Sequence, residues 1–253
     1  MKGFARFLGK EVTEILRTWR IWVLPGVLLF FALSGPVLAK LTPELIASLG
    51  TGQDGVVITM PDPTYLDAYG QWIKNLGQIG IFLLIGVSAG LVAGERKSGT
   101  AALVLTKPVS REGFVVAKYL VHAGLLVVVT ALGTLATWGV TAAIFGEAPP
   151  LRLLQASALW LAFALVMLAA MVMWSSAFST LAALGAGMAT FVVVGLLTLW
   201  GPTAHYTPAA LMGAPTAALA GTSPDVLWPL VTAVLAVLLL VFAATRIFAA
   251  KEI

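Results

Sequence analysis

The chain has 253 residues, 60% of them hydrophobic and only 10% charged, and its mean hydropathy is +0.99. A soluble domain carries about 25% charged residues, so this composition excludes an ordinary soluble protein and points to a bilayer. The net charge of +4 sits at the ends of apolar runs rather than in one basic patch, which argues against a nucleic-acid partner, and the absence of cysteine rules out disulfides and thiolate metal sites.

Residues 1–20 contain "FARFLGKEVTEILRTW", with apolar residues at Phe4, Phe7, Leu8, Val12, Ile15, Leu16 and Trp19 and polar residues on the other faces. The spacing predicts an amphipathic helix lying in the membrane interface. Six apolar runs follow, at about 21–39, 76–93, 119–145, 153–178, 181–200 and 226–248. Each is near the roughly 20 residues needed to cross ~30 Å of hydrocarbon. The first run ends in a "VLA" that mimics a cleavage site, but it exceeds a signal core and follows a long amphipathic segment, so it reads as a retained span. The fourth and fifth runs meet at "SSAFST", residues 175–180, which reads as a tight turn.

The segment 40–75 reads as an acidic outer loop. Within it Tyr65, Tyr69, Trp72 and Leu76 share a helical face and read as an anchor at the membrane–water boundary. Residues 201–225 hold "AALM" and "TAALA", too short to span, which predict short re-entrant outer helices; Thr207 before Pro208 reads as a cap. His205 reads as a boundary residue and no metal site is expected. With six spans, twelve of the fifteen Lys and Arg residues fall on the side that holds both termini, which places the termini in the cytoplasm and the chain in the inner (cytoplasmic) cell membrane.

The exception to this oily pattern is residues 94–118, "GERKSGTAALVLTKPVSREGFVVAK". Its cations would cost ~2.5–3.5 kcal/mol each at the bilayer centre, so it lies outside. "TAALVL" is a short apolar helix, unstable alone in water, and Ser110 caps the next helix from Arg111. Ala101, Leu103, Val104 and Leu105 facing water imply a partner that covers them. Gly94 and Gly99 have the spacing of a phosphate-binding loop, but Thr100 and Ala101 stand where Lys and Ser/Thr are required.

This segment resembles the cytoplasmic loop of ABC-2 type permeases, the membrane subunits of ATP-binding cassette exporters. The resemblance rests on Glu95, Gly99, Thr100, Leu103, Pro108, Val109, Ser110, Arg111 and Lys118. It implies an all-α membrane domain over residues 1–253, with six transmembrane helices and a cytoplasmic coupling helix between helices 2 and 3. It also implies a dimer with a second permease subunit, identical or homologous, docked on two ATPase subunits that hold ATP and Mg; this chain would bring no cofactor and no catalytic residue. The expected ATPase-docking residues are Glu95, Gly99, Thr100, Leu103, Val104, Pro108, Ser110 and Arg111, with Glu95 and Arg111 making charged contacts and Leu103 and Val104 filling a groove.

Within the spans, Thr130, Thr134, Thr137 and Thr141 fall on one face. They are candidates to line the pathway, the alternative being bonds to the preceding turn and to neighbouring helices. Ala182, Ala183, Ala186 and Gly187 predict close helix packing, with a dimer seam as one location. Met167, Met171 and Met173 read as packing rather than a soft-metal site. The absence of buried charge from the spans fits an amphipathic or hydrophobic substrate. A non-transporting membrane scaffold driven by the same kind of ATPase is the competing class; a secondary transporter lacks support, since no internal repeat or intramembrane ion-coupling residue is seen.

Overall fold

The computed structural model describes residues 2–17, 20–50, 61–106, 110–222 and 224–251, and every regular element among them is helical. Six helices are long and apolar enough to cross a membrane, which makes this a multi-pass membrane protein. The N-terminal helix α1 (Lys2–Arg17) precedes the first span α2 (Arg20–Gly50). The second span is segmented into α3 (Tyr65–Asn75), a wider π-type turn (Leu76–Gly80), α4 (Ile81–Ser88) and, after a further turn, α5 (Ala93–Lys97). The short α6 (Thr100–Leu105) leads to the third span α7 (Arg111–Phe145). Then come α8 (Pro150–Ala177), α9 (Thr180–Leu197), α10 (Gly201–Tyr206), a 3-10 turn (Pro208–Met212), α11 (Ala214–Leu219) and the last span α12 (Leu227–Ala249).

The hub is α8, which packs against α12, α7, α9, α11 and α4. Its buried face carries Trp160, Phe163, Met167, Leu168, Met171 and Val172. The spans α9 and α12 lie at the rim and leave Leu181, Val192, Leu196, Leu235, Leu239 and Phe242 exposed. Such faces are stable only against lipid or another apolar surface. Ser179 accepts from the Ala182 amide and starts α9 at the expected turn. Thr207 accepts from Ala209 and starts the 3-10 turn before Met212.

Two expectations for residues 40–75 are corrected. The first span does not end at Ala39: α2 runs on to Gly50, because Lys40 is exposed while apolar residues continue through Leu41, Leu45 and Ile46. Residues 51–60 lie outside the described part. The aromatic stripe is no boundary anchor either. Tyr69 and Trp72 are fully enclosed, because α3 is wedged among α2, α7 and α8. Trp72 Nε1 donates to Ser157 Oγ at 3.2 Å, and the Tyr69 hydroxyl donates to the Pro149 carbonyl at 3.4 Å. The indole lies so close to Gly133 that a β-carbon there would stand 2.4 Å from the ring; glycine is required by proximity.

The Thr130–Thr141 stripe is buried against α2. Pro36, inside α2, has no amide hydrogen, so the Ala32 carbonyl one turn earlier loses its helical donor. Thr137 Oγ1 donates to that carbonyl at 3.3 Å. Thr134 and Thr141 donate to the carbonyls of Thr130 and Thr137. In this conformation three of the four hydroxyls therefore satisfy backbone groups where two helices meet, while Thr130 Oγ1 is buried without a partner.

The small residues of α9 divide in the same way. Ala183 and Gly187 are buried, and a β-carbon on Gly187 would collide with Met171 of α8 and crowd Ile85 of α4. Their packing is within the chain, while Ala182 is exposed.

A candidate docking surface at the charged pole

One end of the bundle gathers α1, α5, α6, the start of α7, the α8–α9 turn and the end of α12. Ser110 caps α7 by accepting from the Gly113 amide at 3.0 Å. The 35 residues of α7 extend about 50 Å, longer than the ~30 Å apolar slab, and its first turns carry Arg111, Glu112 and Lys118.

Helix α6 is reached through Gly99, whose φ of +75° is a left-handed conformation that glycine adopts without strain. Ser98 Oγ and Thr100 Oγ1 share a hydrogen bond at 2.9 Å beside it. Ala101 is fully buried and Val104 half-buried against the core, whereas Leu103 is 72% exposed and Ala102 is exposed. The expectation that Ala101 and Val104 face water is thus corrected: one face of α6 is seated on its own protein, and among the described side chains Leu103 is the large apolar one turned outward. Pro108, with Lys107 and Val109, lies outside the described residues.

Glu95 points inward. Its Oε1 lies 2.5 Å from Lys118 Nζ, and the same ammonium lies 3.0 Å from Glu11 Oε2. Lys118 is 0% and Glu11 1% exposed. Lys10 joins the group, bonding Glu11 at 3.0 Å and Glu14, with Glu95 at 3.6 Å. Burial works against the Lys10 charge, but hydrogen bonds to Glu14 and Glu11, with the charges of Glu11 and Glu95, outweigh it and raise its pKa. Carboxylate oxygens of Glu11, Glu14 and Glu95 come within 4.8 Å of one another. Lys10 and Lys118 already supply the positive charge there.

Phe114, one turn before Lys118, stacks between Phe7 of α1 (5.4 Å) and Phe248 of α12 (5.1 Å), and the Lys118 ammonium lies 5.0 Å from its ring centre. Three further cations of the pole close helix ends. Arg111 donates to the carbonyls of Ala249 and Lys251, at 2.8 and 3.1 Å, past the end of α12. Arg96 donates to the carbonyls of Ser176 and Phe178, both at 2.8 Å, and Lys251 donates to that of Ala177. Cations at helix C-termini meet both the free carbonyls and the negative end of the dipole. Ser175 Oγ accepts from the amides of Val92 and Ala93 and donates to the Ala89 carbonyl, holding the turn before α5. Glu95 and Arg111, expected to reach outward, therefore spend the contacts seen here inside their own chain.

The family description "ABC-2 family transporter protein" matches residues 6–217, a stretch that includes this pole except the first four residues of α1 and the end of α12. The chain belongs to the ABC-2 transporter family. It is also 29% identical over 122 residues to the "Uncharacterized transmembrane protein YxlG" of Bacillus subtilis (strain 168), a match covering 48% of this chain and 47% of that protein. The chain thus spans about half the length of this curated relative.

Sequence reasoning missed Glu11, Arg96 and Ser175. For Glu11 a signal existed: it falls between Phe7 and Ile15 on the same helical face, and both of those are buried. A carboxylate in the middle of an apolar stripe demands a cation from elsewhere in the fold. No comparable local sign marks Arg96 or Ser175, whose roles depend on where the α8–α9 turn comes to rest.

Proposed function

We propose that this ABC-2 protein is the membrane permease subunit of an ATP-driven exporter, with the charged pole in the cytoplasm and the bundle in the inner cell membrane. Two copies, identical or homologous, form the translocation pathway, and two ATPase subunits carrying ATP and Mg sit beneath them. In this reading α6 is the coupling helix. The observation that carries it is Leu103: a large apolar side chain, 72% exposed, on a six-residue helix whose other described apolar residues are turned inward or small. Gly99 and Thr100 set the start of that helix, Ser110 caps the α7 that follows it, and Glu95 and Arg111 hold its base to the bundle rather than meeting the ATPase.

The helix α1 lies along the inner interface, with Val12 and Leu16 exposed toward lipid. The segment α10–α11 enters the outer leaflet and returns, its ends covered by α8 and α12. The exposed apolar faces of α9 and α12 are available to the second copy and to lipid. An open groove of about 660 Å³ between α7 and α12 is lined by Tyr119, Leu120, Val237, Leu238 and Phe242, with Glu112 among its lining residues. Surfaces of this kind suit an amphipathic or hydrophobic substrate. The threonine stripe on α7 is read as a packing element in this state.

The test is Leu103→Asp in the permease co-expressed with its ATPase. Burying one leucine contributes about 1.5–3 kcal/mol, so ATPase recovery should fall at least about tenfold with permease yield unchanged. Undiminished recovery refutes the docking role of α6.

A further inference from the structure

We propose that Lys118, Glu11 and Glu95 form a rigid joint that makes α1, the α5–α6 hairpin and the inner end of α7 move as one body. A displacement received at α6 then reaches the third span and the N-terminal helix together. The mechanical consequence rests on the reading of α6 as the docking helix; the rigidity itself does not.

The joint brings three separate elements onto one ammonium. Lys118 is 107 residues from Glu11 and 23 from Glu95 in the chain, yet its side chain is enclosed and bonded to both. Glu95 lies four residues before Gly99, the glycine that starts α6. The second oxygen of Glu95 is buried without a hydrogen-bond partner. Glu95 is therefore held through its other oxygen, chiefly by Lys118 and more distantly by Lys10; loss of Lys118 removes the tether of α5 to α7 and leaves α5 held to the α8–α9 turn by Arg96 and Ser175. The Phe7–Phe114–Phe248 stack beside the ammonium extends the same body to α12.

Stability alone does not account for this arrangement. A lysine near the end of a span ordinarily extends its ammonium to water. Apolar residues of similar volume usually serve a buried site as well as an ion pair does, or better. What buried ions add is direction: the ammonium meets its partners at fixed distances, and any sliding of α1 or α5 along α7 uncovers charge. Apolar contacts tolerate such sliding. The groups facing Lys118 are Glu11 from α1 and Glu95 from α5, with Lys10 and Glu14 adjacent and His122 Nδ1 on the Lys118 carbonyl.

The chain has no cysteine, so spin labels can be placed by Thr13→Cys on α1 and Lys97→Cys on α5, both exposed positions. The background to compare is Lys118→Met with Glu11→Gln and Glu95→Gln, which removes the joint without leaving a buried charge unpaired and therefore keeps the fold. In the permease alone, the distance between labels should be a single narrow distribution in the native joint and at least twice as broad in the neutral variant. An unchanged width overturns the rigid joint, whatever the ATPase does.

In the ATPase–permease complex, trapping with ATP and vanadate should leave the Thr13–Lys97 distance unchanged in the native joint. It should shift a second label pair, introduced by Leu199→Cys in each copy at the opposite end, and that shift should fall at least fivefold in the neutral variant although ATPase recovery is undiminished. An equal shift in both, or a native Thr13–Lys97 distance that changes on trapping, also overturns the joint. If no ATPase is recovered with the native chain, the exporter reading fails while the width measurement still decides the joint.

Discussion

The two ends of this bundle are locked by different chemistry. At the charged pole, a buried ammonium fixes two carboxylates from separate elements, and three further cations close helix ends. Toward the opposite pole, the lock is steric: Trp72 lies against Gly133 and finds its polar partner in a neutral serine, while the ionic contact there among the described residues, His205–Asp225 at 3.7 Å, joins two side chains that are each at least half exposed. Ions can be buried at the charged pole because they arrive with a nearly complete partner set. Deeper in the bundle, neutral groups satisfy single backbone or side-chain atoms without carrying charge into hydrocarbon.

The largest test breaks the ionic lock. Lys118→Met leaves Glu11 and Glu95 buried without their enclosed cation, with only the part-exposed Lys10 nearby, and should destabilise the protein by about 3 kcal/mol, measured by thermal unfolding in detergent. The steric lock should yield less. Gly133→Ala forces a β-carbon into the Trp72 ring and should cost about 1–3 kcal/mol. Gly187→Ala should cost less than Gly133→Ala, because the nearest atom is the flexible Met171 thioether. If Lys118→Met proves milder than Gly133→Ala, the ranking of the two ends is reversed.

A smaller effect sharpens the account of neutral groups. Thr137→Val removes the donor from the Ala32 carbonyl and should cost about 1 kcal/mol. In a Pro36→Ala background the amide hydrogen returns to that carbonyl, so the cost should largely vanish. A double-mutant cycle reads the difference as coupling, and additive effects would contradict the assignment. The least effect belongs to His205→Ala, expected below about 0.5 kcal/mol because both partners are solvent-accessible; a larger loss would show that the opposite pole also carries an ionic lock.

Composition and hydropathy by themselves determined that the chain is a multi-pass helical membrane protein with six spans, since apolar length is a local property of the chain. The Ser110 and Thr207 caps and the turn at residues 175–180 were legible for the same reason: each needs only residues within about one turn of itself. The motif at residues 94–118 pointed to the family that residues 6–217 then matched. Tertiary structure alone decided what faces what. Periodicity placed Tyr69 and Trp72 on one face but did not say whether lipid or protein covers it, and the wedge of α3 among three helices answered that. It likewise aligned four threonines without showing that a proline on α2 had freed a carbonyl opposite them. At the charged pole it gave the short helix of α6 but not its orientation, which turns Leu103 out and Ala101 in. The destination of Glu95 was the least legible of all, because the energy of a charge is set by whatever lies within a few ångströms, and its partners come from α1 and α7.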